Sequence, residues 1–156
     1  MNTELLVNQV MTKQVVVGNL GNKFSQIMEF FCKHNIAHLP ILANGELVGI
    51  LSIKDVLNFT YDQLNRFGVC SKEDLDDSFL VEEVMTPDPI TISSKAKIAD
   101  ALVSLAPGKF QALPVVDNGE IVGMITNKDL VKIYQLDAHP YQNKTGFTID
   151  TSGFGI

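Results

Sequence analysis

The chain has 156 residues and a net charge of −6, from 12 basic and 18 acidic side chains, and Arg66 is its single arginine. This acidic balance argues against a nucleic-acid-binding protein, which needs a face rich in arginine and lysine. A hydrophobic share of 46% with 19% charged residues is that of a globular protein, and no apolar run is long enough to span a bilayer. Residues 1–4 lack the features of a secretory signal, so we expect a cytoplasmic protein that does not associate with membranes.

The cysteines and histidines do not predict a disulfide framework or a metal site. Cys32, Cys70, His34, His38 and His139 show no metal-ligand spacing with one another. Cys32 falls within an apolar helical pattern, which predicts a small buried core residue. The chain also lacks the nucleophile-elbow, P-loop and zinc-protease motifs. We therefore expect no catalytic centre and no required cofactor.

The sequence contains an internal repeat of two similar units. Residues 5–57 align with 79–131 at a constant offset of 74 without a gap, and 15 of the 53 positions are identical. A repeat of this size predicts two copies of one structural unit. The identical segments include Val-Met-Thr at 10–12 and 84–86, Leu-Pro at 39–40 and 113–114, and Asn-Gly-Glu at 44–46 and 118–120.

Each unit begins with a lead-in, a brief strand and a helix. The lead-ins are 5–7 and 79–81, and the predicted strands are 15–17 and 90–92. The helices are predicted from apolar residues at the i, i+3, i+4, i+7 spacing of one buried face. These residues are Phe24, Ile27, Met28 and Phe31 in the first unit, and Ile98, Ala101, Leu102 and Leu105 in the second.

Two strands joined by a tight turn follow, and then a closing helix. Asn-Gly between apolar runs predicts a hairpin, because both turn residues tolerate positive φ. The hairpins cover 39–51 and 113–125, and the closing helices begin at Ser52 and Thr126. Each β-α-β-β-α unit is too small to bury both faces of its sheet. We therefore predict an α+β fold (α/β-type) with two units packed sheet to sheet.

These elements divide the chain into four predicted parts. The first unit with its closing helix covers 5–66, an acidic linker 67–78, the second unit 79–136 and a tail 137–156. Tyr61, Leu64 and Phe67 are spaced to continue an apolar face on the first closing helix. We expect the acidic linker to be a solvated loop. We expect the tail, which has no helical period, to be flexible, or ordered only against a partner through Phe147, Ile149 and Phe154.

The end of each unit carries the pattern Gly-x-x-(Ser/Thr)-x-Lys-Asp, which has two interpretations. Ser52 with Asp55, and Thr126 with Asp129, are spaced as capping boxes that serve only their own helices. Alternatively, the strand-to-helix junction leaves amide N–H groups pointing outward as an anion site, and the carboxylate accepts hydrogen bonds from a ribose diol. The second interpretation describes a nucleotide site, and the repetition of the pattern favours it.

These motifs, in order and twice over, resemble tandem CBS domains, named after cystathionine β-synthase. The resemblance covers about residues 5–134. It implies a stand-alone (Bateman-type) module in which two units pack around a pseudo-twofold axis, and a homodimer of such modules. It also implies a non-enzymatic sensor of adenosine-containing ligands, such as AMP, ADP, ATP, S-adenosylmethionine or NAD-like molecules, acting on an unidentified protein.

The resemblance also implies two ligand clefts between the units, with aspartates for the ribose hydroxyls and Ser52 or Thr126 for phosphate. In the first cleft it places Ser52, Lys54, Asp55, His38, Thr86, Thr91, Phe110 and Gln111. In the second cleft it places Thr126, Lys128, Asp129, Thr12, Val17, Ile36 and Ala37.

The position before Leu-Pro differs between the units, with His38 in the first and Ala112 in the second. A cationic residue at this position suits phosphate, so we expect the first cleft to be the better site for a charged phosphate. The alternative is that His38 lies at a strand edge with no ligand role.

Two further functions compete with the sensor. The chain could be a purely structural dimerisation module with empty clefts, its Ser/Thr-x-x-Asp motifs serving only as helix caps. An enzyme is disfavoured, because the cleft hydroxyls and carboxylates lack an orienting partner.

Overall fold

The structure, a computed structural model, describes residues 4–108 and 110–138. In chain order the elements are a 3₁₀ turn (Val7–Gln9), β1 (Gly18–Asn19), α1 (Phe24–His34), β2 (His38–Ala43), β3 (Glu46–Ser52), α2 (Ile53–Phe67), α3 (Lys72–Ser78), α4 (Val81–Val84), β4 (Thr86–Pro87), α5 (Ile98–Leu105), β5 (Ala112–Asp117), β6 (Glu120–Thr126) and α6 (Asn127–Ala138). The predicted α+β fold is confirmed.

The two hairpins form as the Asn-Gly turns predict. Asn44 and Gly45 have φ of 51° and 83°, and Asn118 and Gly119 have φ of 52° and 82°. Positive φ at both turn positions matches the right-handed twist of the flanking strands. β2 pairs with β3, and β5 with β6, in the same antiparallel register with a shift at the same place in each. The repeat in the sequence is therefore a repeat in structure.

The opening segment of each repeat crosses to the other unit. β4 pairs with β3, with Thr86 opposite Ile50, so the start of the second repeat extends the first sheet to the order β1-β2-β3-β4. In return, Thr12 forms an antiparallel bridge to Met124 of β6.

The two hydrophobic cores follow this exchange. Val7 of the first repeat is fully buried in the core of the second unit, and Phe79 and Val81 of the second repeat are buried in the core of the first. Hydrophobic burial is the main driving force of folding, so each unit depends on a segment of the other repeat. The first core contains Ile27, Phe31, Leu39, Ile41, Leu51, Val56, Phe79 and Val81. The second contains Val7, Ile98, Ala101, Leu105, Leu113, Val115, Ile125, Leu130 and Ile133.

The brief opening strands lie elsewhere than predicted. Residues 15–17 form no strand, and the pairing occurs at Gly18–Asn19, which run parallel to Ile41 and Leu42 of β2. Within 90–92 only Ile92 makes a bridge, to Val115. Prolines at 87 and 89 lack the N–H donor that a longer strand would need.

The acidic linker is a helix rather than the expected loop. α3 begins after Ser71, whose hydroxyl accepts a hydrogen bond from the Asp74 amide at 3.1 Å. Acidic side chains in the first turn also favour the positive end of the helix dipole. α3 docks on α1 through Asp76, whose carboxylate accepts from the Ser25 amide at 2.7 Å and the Ser25 hydroxyl at 2.9 Å.

Two other expectations need correction or fall outside the structure. Cys32 is exposed rather than buried, because the buried stripe of α1 runs through Ile27 and Phe31 and leaves Cys32 to one side. α6 continues to Ala138, two residues into the predicted tail. Residues 139–156 lie outside the described part of the chain.

Candidate functional site

The Ser52–Asp55 motif forms a complete capping box, and the Thr126–Asp129 motif makes the two hydrogen bonds from the residue before the helix to the aspartate. The Ser52 amide and hydroxyl donate to Oδ2 of Asp55 at 2.8 and 2.6 Å, and the Asp55 amide donates back to the Ser52 hydroxyl at 3.2 Å. The Thr126 amide and hydroxyl donate to Oδ2 of Asp129 at 2.9 and 2.8 Å. The capping interpretation of the sequence therefore describes the structure.

The boxes use only part of each aspartate. Their bonds to the carboxylate all end on Oδ2, so Oδ1 of Asp55 stays outside its box. Oδ1 of Asp129 lies 3.8 Å from Nζ of Lys132. A carboxylate has about four acceptor positions. Each aspartate can therefore cap its helix and still accept a hydrogen bond from a bound molecule.

The first amide N–H group of each closing helix donates a hydrogen bond within the protein. It is therefore not available to an anion, contrary to expectation. The Ile53 amide donates to the Ala37 carbonyl at 3.0 Å, and the Asn127 amide donates to the Gln111 carbonyl at 3.1 Å. The expectation of outward, unpaired first amides is wrong at these two positions. In each case the carbonyl belongs to the residue immediately before a strand, Ala37 before β2 and Gln111 before β5.

The first cleft is a cavity of about 450 Å³ at the start of α2. It brings together seven of its eight predicted residues, and Thr91 is not among its lining residues. Pro89 and Ile90 line the cleft instead, because the chain departs from strand geometry there. The predicted residues that line it are His38, Ser52, Lys54, Asp55, Thr86, Phe110 and Gln111.

The second cleft, of about 540 Å³, lies at the start of α6. Val17 is not among its lining residues, whereas the preceding Val15 and Val16 are. Sequence reasoning also missed Lys132, although its position four residues after Lys128 places both on one side of a helix. The predicted residues that line this cleft are Thr12, Ile36, Ala37, Thr126, Lys128 and Asp129.

Among the described residues, three line both clefts and form what we call the shared wall, namely Ala37, His38 and Gln111. The sequence assigned each of them to a single cleft. The structure differs from this assignment because residues 37 and 111 occupy equivalent positions in the two repeats. Residue 37 lies immediately before β2 and residue 111 immediately before β5, where the two units meet. His38 therefore does not distinguish the first cleft from the second.

The electrostatics of His38 also differ from expectation. Burial lowers the pKa of His38, and the nearby Asp55 carboxylate opposes this only in part. A histidine whose pKa lies below its usual value is mainly neutral at pH 7. The clearest cationic groups at the clefts are then Lys54 in the first, and Lys128 and Lys132 in the second.

Within the described residues, no three His, Cys, Asp or Glu side chains are grouped so that they could hold a metal ion. In the same part of the chain, none of the helices combines the length and apolar character that crossing a membrane requires.

The chain resembles segments of longer curated proteins. An inosine-5′-monophosphate dehydrogenase from Korarchaeum cryptofilum is 32% identical over 113 residues, which are 72% of this chain and 20% of that protein. The uncharacterized protein MJ1232 from Methanocaldococcus jannaschii is 31% identical over 128 residues, 81% of this chain and 38% of that protein. The chain thus spans less than half the length of these relatives.

Solved structures share the fold at low sequence identity. CBSX2 from Arabidopsis thaliana has a TM-score of 0.72 and 24% identity, covering 87% of this chain and 98% of that one. A structure of CBSX2 in complex with AMP has a TM-score of 0.69, 23% identity, and coverage of 85% and 98%. The CBS domain pair of protein MJ0100, in complex with 5′-methylthioadenosine and S-adenosyl-L-methionine, has a TM-score of 0.70, 24% identity, and coverage of 85% and 98%.

The family model described as CBS domain matches two segments, 7–62 and 81–136. These segments coincide with the two repeats and together make up more than half of the chain. The chain therefore belongs to the CBS domain family and contains two copies of the domain.

Proposed function

We propose that this chain is a regulatory module, with no catalytic activity of its own, that binds adenosine-containing ligands in its two clefts. The observation that carries the proposal is the placement of the two repeated motifs. Ser52 and Asp55 share a cleft with Thr86 of the second repeat, and Thr126 and Asp129 share one with Thr12 of the first. Each cleft thus contains a carboxylate from one repeat and hydroxyl groups from both repeats.

The chemistry of the first cleft suits a nucleoside with a phosphate. Asp55 has a carboxylate oxygen outside its capping box, to which ribose hydroxyls can donate. Phe110 and Ile90 offer apolar surface for a flat base. Lys54 provides a cation for phosphate. Pockets with mainly apolar walls and a few placed polar groups are typical of small-molecule sites.

The second cleft has the same plan with more positive charge. Asp129 replaces Asp55, and Val16 and Ile36 provide apolar wall. Among the described residues, Lys128 and Lys132 line the second cleft, and Lys54 lines the first. We therefore place the stronger phosphate site in the second cleft, the reverse of the order that His38 suggested from the sequence.

The fold relatives support this class of ligand. Structures of CBSX2 with AMP, and of the MJ0100 domain pair with 5′-methylthioadenosine and S-adenosyl-L-methionine, show adenosine compounds bound by proteins of the same fold. The hydrogen bonds of the two motif hydroxyl groups support a non-enzymatic role. Ser52 and Thr126 donate to carboxylates rather than to a histidine base.

We propose that the module signals as a homodimer or through a partner protein in the cytoplasm. The two closing helices expose large apolar side chains, with Leu57 59% and Tyr61 66% exposed on α2, and Val131 56% and Tyr134 60% exposed on α6. Exposed apolar patches of this kind mark protein–protein contacts. The alternative function, a structural dimerisation module with empty clefts, is favoured by the hydrogen bonds that both aspartates accept from the N-cap residues of their own helices.

Thermal unfolding in the presence of AMP, ADP, ATP, NAD or S-adenosylmethionine tests the proposal. A ligand at about 100 times its dissociation constant stabilises the folded state by roughly 2.7 kcal/mol, which raises the melting temperature measurably. We expect Asp55→Ala and Asp129→Ala each to remove part of this shift.

The chain offers a matched control for the loss of a helix cap. Ser71 and Asp74 form the same box at α3, away from both clefts. Asp74→Ala should lower the melting temperature of the free protein and keep the full ligand shift. If no ligand raises the melting temperature, or if Asp74→Ala removes the shift as well as the cleft variants do, the structural function is correct instead.

A further inference from the structure

We infer that the two clefts are coupled through the shared wall, so that a ligand in one cleft weakens binding in the other. This inference rests on the proposed function, since it requires both clefts to bind. It depends on two separate features of the wall, namely its side chains and its backbone hydrogen bonds.

The side chains of the wall serve two sites at once. His38 and Gln111 each border both clefts. The neutral imidazole of His38 has one N–H donor and one acceptor, and the amide of Gln111 has one NH₂ group and one carbonyl. Each side chain adopts one orientation at a time, so the orientation that a molecule in one cleft selects also sets which groups face the other cleft. Two ligands therefore compete for the same hydrogen-bonding groups.

The backbone of the shared wall connects each cleft to the closing helix that carries the aspartate of the other cleft. The Ala37 carbonyl accepts from the Ile53 amide at the start of α2, while Ala37 also lines the second cleft. The Gln111 carbonyl accepts from the Asn127 amide at the start of α6, while Gln111 also lines the first cleft. A ligand that moves the wall in one cleft thus moves the start of the helix that carries the aspartate of the other.

The wall is also tied to the capping box of the first cleft. His38 is paired with Ser52 across β2 and β3, so its backbone cannot shift without shifting the N-cap of α2. β3 and β6 are in contact between the units. A coupling free energy between two sites is measured as the change in affinity at one site when the other is occupied, typically between about 5-fold and 150-fold.

Isothermal titration calorimetry with AMP tests the coupling. Asp55→Ala isolates the second cleft and Asp129→Ala isolates the first, so each variant gives the affinity of one cleft with the other empty. We expect the second binding step of the wild-type protein to be at least about 5-fold weaker than the isolated affinity of the same cleft.

Wall variants separate the coupling from binding itself. In the Gln111→Ala and His38→Ala variants, the affinity of the second binding step should lie within about 2-fold of the isolated affinity of the same cleft. This corresponds to a small residual coupling. Asn35→Ala is the control, because Asn35 lines the second cleft alone, and it should leave the ratio unchanged. Gln111 and Asn35 are both exposed, so these variants do not depend on repacking of the core.

The outcomes distinguish this inference from the proposed function. Two AMP molecules that bind wild-type protein with the isolated affinities would refute the coupling and leave the proposed function standing. A wild-type stoichiometry of one AMP, abolished by only one of the two aspartate substitutions, would show that a single cleft binds and would also refute the coupling. No AMP binding to any variant, or a stoichiometry that neither aspartate substitution reduces, would refute the proposed sites and the coupling together.

Discussion

Met85 lies against Gly49 so closely that a β-carbon on the glycine would overlap the methionine sulfur. Met11 lies against Gly123 in the same way. The methionine of each Val-Met-Thr segment therefore packs on the glycine that opens the Gly-x-x-(Ser/Thr) motif of the other repeat. These contacts fix the crossing lead-ins beside the strands that end at the two clefts.

Alanine at either glycine should destabilise the protein. We expect Gly49→Ala and Gly123→Ala each to lower the free energy of unfolding by about 1–3 kcal/mol, because the added methyl group overpacks a closed contact. Chemical denaturation at equilibrium measures this change.

Gly21 provides a control for that substitution. Its added β-carbon would approach only the Asn19 side chain, at 3.3 Å, and its φ is outside the left-handed region. Gly21→Ala should therefore change stability little. A double-mutant cycle between Gly49→Ala and Met85→Ala should show a favourable interaction energy, and strict additivity would contradict the proposed contact.

Acid should weaken the docking of α3 on α1. The Ser25 backbone hydrogen bond holds the pKa of Asp76 below its ordinary value. A carboxyl group with a lowered folded-state pKa stabilises the fold above its unfolded pKa of 3.8, and that contribution is lost as pH falls through the folded value. We expect amide hydrogen exchange in α3, expressed relative to the intrinsic exchange rate at each pH, to accelerate below that pH.

At neutral pH, Asp76→Ala should accelerate exchange in α3 as acid does. Asp77→Ala, at the exposed neighbouring position, is the matched control and should leave exchange near the wild-type rate. Equal acceleration by the two substitutions would show that the Ser25 contact does not hold the helix.

His38 should give the free energy of unfolding a dependence on pH near neutrality. Its folded pKa lies below the unfolded value of 6.5, chiefly because of burial. The unfolded chain then binds more protons than the folded one, so stability is present above pH 6.5 and is lost as pH falls through the folded pKa.

His38→Gln should remove this dependence, whereas His34→Gln, on the exposed face of α1, should retain it. Denaturation midpoints between pH 5 and pH 8, roughly the range over which histidine titrates, measure the effect. A His38→Gln profile identical to that of the wild type would assign the slope to other groups.

The phosphate preference of the second cleft should depend on Lys132. In the Asp55→Ala background, Lys132→Gln should weaken AMP binding by about 2-fold to 5-fold, as expected for a partly exposed charge. Binding of adenosine, which has no phosphate, should be unchanged. Lys95→Gln, outside both clefts, is the control, and an equal loss for adenosine and AMP would indicate that Lys132 does not contact phosphate.

The features that sequence predicted are the local ones. Asn44-Gly45 and the apolar spacing from Phe24 to Phe31 define a hairpin and a helix within a few residues. Ser52 and Asp55 define a helix start in the same way. The resemblance to a known family then implied that each motif faces the other repeat.

The features that sequence missed depend on contacts between distant segments. Nothing near His38 in the chain shows that it borders both clefts, because Gln111, which lines the same wall, lies before β5 in the other repeat. The sequence does contain a signal for the helix at the acidic linker, since Ser71 and Asp74 have the same Ser-x-x-Asp spacing as Ser52 and Asp55. The high charge of the same segment favours a solvated loop instead.

The crossing of the lead-ins makes the two halves of the chain inseparable. A fragment ending at Phe67 would lack Phe79 and Val81, which complete its core, and would present Val7 with no core to enter. Two such fragments could satisfy each other only by trading their first residues, as an intertwined pair. The present chain has the topology of that pair with its two members joined end to end, so folding one half requires the other.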